Sequence, residues 1–106
     1  MGRVLINYKG TELEFDYQLE VYPENNVAAF AVTSLNSATL YPLPKTFLIL
    51  CYPLENDESI NWQDAKMVHF RTYKKGHEYA DMEDNIKQLV SDRLRAVMIA
   101  NESGVQ

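Results

Sequence analysis

The chain has 106 residues, 46% of them hydrophobic and 24% charged, with a formal net charge of −5. That composition excludes a disordered or collagen-like chain, and the length suits one domain burying roughly 65% of the surface its unfolded form exposes. No apolar run approaches the ~20 residues that span a bilayer, the start lacks a leader-like apolar stretch, and a single cysteine, Cys51, forbids an internal disulfide. The expectation is a soluble cytoplasmic protein without a membrane partner.

Arg3 to Lys9 alternates Val4, Ile6 and Tyr8 with a mostly polar set, the period of two of a strand with one buried face. Glu12 to Tyr22 holds the same alternation longer. Leu13, Phe15, Tyr17, Leu19 and Val21 are expected inside, and Glu12, Glu14, Asp16, Gln18 and Glu20 outside. Lys9-Gly10 between them predicts a two-residue hairpin loop, because glycine accepts positive φ without cost. That loop sets Tyr8 opposite Thr11, Ile6 opposite Leu13, Val4 opposite Phe15 and Arg3 opposite Asp16. A three-residue loop would set Ile6 and Val4 against Glu12 and Glu14, so the hydrophobic pattern selects the shorter one.

Pro23 to Asn26 is a turn by composition. Val27 to Leu35 is apolar on both faces as far as Val32, which predicts a strand inside the sheet with neighbours on each side. A short strand is expected over Thr39 to Tyr41, broken by Pro42 and Pro44. Thr46 to Tyr52 is the most hydrophobic stretch and reads as another central strand, stopping at Pro53. Ser59 is expected to cap a single helical turn through Trp62. Met67 to Tyr73 returns to strand. From Asp81 to Ala100 the period becomes helical, with Met82, Ile86, Leu89, Val90, Leu94, Val97 and Met98 on one stripe. Such a helix is about 30 Å long, enough to cross five strands. The fold expected is α+β: an antiparallel sheet of about five strands with one C-terminal amphipathic helix packed across one face. A small β-barrel closed by the same helix is the alternative.

Function is written less plainly. There is no G-x-S-x-G, no HExxH, no cysteine pair and no Gly-rich phosphate loop, and the whole chain has four glycines. His77, Glu78 and Asp81, with or without His69, are metal-ligand types at a loose spacing that suits an acidic helix start better. Cys51, within Leu48-Ile49-Leu50-Cys51-Tyr52, reads as a small buried hydrophobe rather than a reactive thiol. No enzyme, cofactor or metal is expected.

Charge and aromatic side chains supply the remaining signals. From Gly10 to Ala65 there are nine carboxylates against Lys45 alone. Glu12, Glu14, Asp16 and Glu20 form a row with a repeat of about 6.8 Å. One DNA strand carries a charge about every 3.4 Å, so this row has half the density a mimic would show. The plainer reading is a solvated face that discourages aggregation. His69, Arg71, Tyr73 and Lys75 share the other parity of a basic stretch that could pair with phosphate and stack a base. Pairing with the chain's own acids is the plainer reading, and direct nucleic-acid binding is not expected at this net charge. Of seven tyrosines, Tyr8, Tyr17 and Tyr52 fall in core patterns. Tyr22, Tyr41, Tyr73 and Tyr79, with Trp62, fall at strand ends or loops where a partner would reach them. Candidate partner-binding residues are therefore Glu12, Glu14, Asp16, Glu20, Tyr22, Trp62, Arg71 and Tyr73. They point to a small acidic protein-binding module, such as an inhibitor, immunity or accessory protein that occludes a partner surface. A nucleic-acid mimic, or a subunit of a larger assembly such as a homodimer, is the alternative.

Overall fold

The computed structural model describes residues 2–35, 45–56, 59–71 and 83–102. Five strands, β1 (Gly2–Tyr8), β2 (Thr11–Tyr22), β3 (Val27–Ser34), β4 (Thr46–Tyr52) and β5 (Lys66–Arg71), precede one helix, α1 (Asp84–Glu102). They form one antiparallel sheet in the order β1-β2-β3-β4-β5, curled and with β1 and β5 as its edges. This is the α+β fold expected from the sequence, and its strand order is a meander. The segment Thr39 to Tyr41 and the helix-stripe residue Met82 lie outside the described residues.

The first hairpin has the register that the hydrophobic pattern selects, from Tyr8↔Thr11 through Ile6↔Leu13 and Val4↔Phe15 to Arg3↔Asp16. Lys9 and Gly10 both have positive φ, 50° and 84°, as a primed two-residue turn requires to follow the twist of its strands. At the far end of β1 the fit is tight. A side chain at Gly2 would stand 2.5 Å from the Tyr17 hydroxyl, so glycine there gives that ring its room.

The core lies on one side of the sheet. Phe15, Phe30, Phe47, Leu13, Ile49 and Val32 have essentially no exposed surface, and α1 lays Ile86, Val90 and Leu94 over them at i, i+4 and i+8. Phe15 meets Phe47 edge-on at 6.1 Å, and Phe30 meets Tyr17 edge-on at 5.8 Å. The Tyr8 hydroxyl donates to Glu83 Oε2 at 2.6 Å, tying the end of β1 to the start of α1. Burial pushes the Cys51 thiol up to about 12, as expected of an inert core cysteine.

Some side chains in the sheet, the helix and the turn before β5 depart from the sequence pattern. Val21 was expected inside and is 37% exposed, because β1 pairs only as far as Tyr17 and the end of β2 overhangs the core. Leu89 belongs to the helical stripe but is also 37% exposed, at the stripe's margin. Tyr52 shares the parity of half-buried Leu48 and Leu50, opposite to buried Cys51, so it stands outside the core. Ser59 caps no helical turn. The turn at 62–64 is held instead by Asn61, whose carbonyl accepts from Asp64 and Ala65 N–H and whose Oδ1 accepts from Gln63 N–H.

Candidate functional site

The even-numbered side chains of β2 project from the face opposite α1, so Glu12, Glu14, Asp16 and Glu20 form the expected row. Arg3 on β1 reaches across to two of them. Its Nε lies 3.0 Å from Asp16 Oδ1 and its Nη1 lies 3.1 Å from Glu14 Oε1. The bond to Asp16, then the charges of Asp16 and Glu14, hold the Arg3 guanidinium above its ordinary value. Tyr22 continues the row and donates its hydroxyl to Glu20 Oε2 at 2.6 Å. That bond, then the Glu20 charge, raises the Tyr22 phenol. The stripe is real, but much of it is already paired within the chain.

Beside the stripe lies an apolar lane that the sequence analysis did not single out. The register sets Ala31 against Leu48, Ala29 against Leu50, and Leu50 against Val68, all with the outward parity of their strands. Val68 is 37% exposed, Ala31 is exposed, Leu48 and Leu50 are half-buried, and Ala29 is buried. Among the described residues α1 is the only helix longer than one turn, and it packs on the other face. The signal was present, since β3 and β4 are apolar on both faces. In-plane neighbours satisfy a strand's backbone, however, not the side chains on its two faces. Among the described residues no second helix covers the outward face of these two strands.

Trp62 does not belong to this surface. It is 6% exposed and packs on Phe30 at 5.5 Å, because residues 61–65 fold inward over the end of the core. Arg71 ends β5 on the sheet edge, and its side chain, like the whole of Tyr73, lies outside the described residues. The structure thus brings Glu12, Glu14, Asp16, Glu20 and Tyr22 together on one face and takes Trp62 away from it.

His69 is also turned away from solvent. Its ring stacks on Phe47 at 5.8 Å and its Nε2 lies 2.7 Å from Ser91 Oγ on α1, so it faces the helix rather than an open basic surface. Burial lowers its proton affinity, the Lys87 backbone acceptor offsets part of this, and the Lys87 charge lowers it further. Asp84, Lys87 and Arg95 line the same cleft. Since the folded value is below the unfolded value of about 6.5, the stability that His69 carries is complete above that pH. It is lost as pH falls through it toward the folded value. Urea unfolding at about pH 7.5 and about pH 5 is expected to show a larger loss on acidification for the wild type than for His69→Gln. Equal losses would show that the fold does not hold this ring neutral.

Among the described residues there is no group of three or more His, Cys, Asp or Glu side chains placed to hold a metal ion, and no helix is long and apolar enough to cross a membrane. No family model matches the chain, and no curated protein or solved structure matches it.

Proposed function

We propose that the chain is a non-enzymatic protein-binding module that covers a partner surface with the outer face of its sheet, as an inhibitor, immunity or accessory protein does. The observation that carries this reading is the lane of Ala31, Leu48, Leu50 and Val68, apolar on a face where no described helix packs. Exposed apolar surface rimmed by polar groups is the usual mark of a protein contact. The row of Glu12, Glu14, Asp16 and Glu20 flanks one side of it, so the partner that fits offers an apolar row beside lysines or arginines. Tyr22, exposed at the end of the row, adds aromatic area at low entropic cost.

The test is affinity purification from the native host at about 50 mM and about 500 mM salt, with the wild type and with an Ala31→Lys/Val68→Lys double variant. Both positions are exposed, so the variant is expected to unfold at nearly the wild-type urea concentration. The expected result is a protein prey that survives high salt on the wild type and is absent from the variant. A prey held equally by both would remove the outer face from the reading. A nucleic-acid mimic would give a complex that dissolves steeply with salt. The pairing of Arg3 with Glu14 and Asp16 speaks against that alternative, because it cancels charge where a mimic needs it.

A further inference from the structure

We infer that the cleft between β5 and the first three turns of α1 binds a small phosphate-bearing anion. Lys87, Ser91 and Arg95 follow one another at i, i+4 and i+8, so they stand in one row up the helix, and His69 faces them from β5. The space between has a volume of about 340 Å³, enough for a phosphate group and a small ester substituent. In a chain of net charge −5 this cleft is an exception. Among the described residues that line it there are two cations, Lys87 and Arg95, and one carboxylate, Asp84, whose side chain is almost wholly exposed at the rim.

The donors are partly set in advance. Arg95 gives two Nη1 hydrogens to the Trp62 and Gln63 carbonyls and one Nη2 hydrogen to that of Ala65. Three of the five N–H groups of a guanidinium are thereby used, which fixes its plane and leaves two for a ligand. Lys87 Nζ lies 3.7 Å from Asp84 Oδ1, a long contact that a dianion would displace. The His69 ring holds Ser91 Oγ through Nε2, and on protonation it would gain a charge that an anion in the cleft stabilises. Lys87 and Arg95 are about 12 Å apart along the helix axis, with Ser91 midway. A tetrahedral phosphate over Ser91 accepts from Lys87 and Arg95 at the two ends of the row. A planar carboxylate offers its lone pairs in one plane only, which suits this layout less well.

The experiment is an NMR titration of the full chain with inorganic phosphate, and then with a small phosphomonoester, against chloride at constant ionic strength. Saturable shifts of the His69 ring and the Ser91 amide are expected, with the His69 titration midpoint moving upward as the site fills. Lys87→Gln is expected to weaken binding about five-fold, and Asp84→Asn, which removes the competing carboxylate, to tighten it about three-fold. Both positions are on the helix surface, and unchanged amide dispersion checks that each variant is folded. Shifts that do not saturate below about 50 mM phosphate, or the same affinity in wild type, Lys87→Gln and Asp84→Asn, would overturn the assignment. If only the phosphomonoester saturates, the organic substituent is part of the ligand and the site stands.

Discussion

Phe30→Ala is expected to lower the free energy of unfolding by about 3–5 kcal/mol, whereas Leu50→Ala, one strand away on the opposite face, is expected to cost about 1 kcal/mol. Phe30 has no exposed surface and sits between Tyr17 and Trp62, so its removal opens a void in the middle of the aromatic cluster. The backbone cannot close over that void, because β3 is hydrogen-bonded to β2 on one side and β4 on the other. Leu50 is half-buried on the outer face, and water fills the space its side chain leaves. Urea midpoints with equal slopes would give both costs directly. A Leu50→Ala cost matching that of Phe30→Ala would mean that the outer face is itself a core, and the surface proposed for a partner would not exist.

That contrast marks how far the sequence could be read. In β2 a period of two held over nearly the whole strand, so inside and outside were legible from Leu13 to Leu19, and with them the hairpin register and the acidic row. The rule failed at Val21 because parity tells which way a side chain points but not whether anything lies above it. It was ambiguous in β3 and β4, where both parities are apolar. Burial under the helix and exposure in the outer lane leave the same letters there. Trp62 was misplaced for a different reason. A loop residue has no period, and its burial depends on residues 61–65 being held inward from α1, a contact across more than thirty residues. The pairing of His69 with Ser91 and of Tyr8 with Glu83 likewise depends on where α1 crosses the sheet, which local pattern does not encode.

Arg95→Met is expected to cost about 3 kcal/mol, the second-largest effect foreseen for a single position. Its guanidinium is the one group among the described residues that donates to the carbonyls of Trp62, Gln63 and Ala65, at 2.8, 3.1 and 2.8 Å. Bonds from a charged donor are stronger than neutral ones, and removing the donor leaves partly buried acceptors without a partner. The three losses do not simply add, because the loop can turn one or two carbonyls toward water. Turning them also lifts Trp62 from Phe30, so the damage reaches the core. Arg95→Lys is expected to recover less than half of the loss, since an ammonium is a compact charge and cannot fork across three acceptors. The chain has one tryptophan, which makes its emission a direct reporter. The Met variant is expected to emit at longer wavelength than the wild type before any denaturant is added, and to unfold at lower urea. An unchanged spectrum and midpoint would show that residues 61–65 hold their place without α1, leaving the burial of Trp62 to its contact with Phe30 alone.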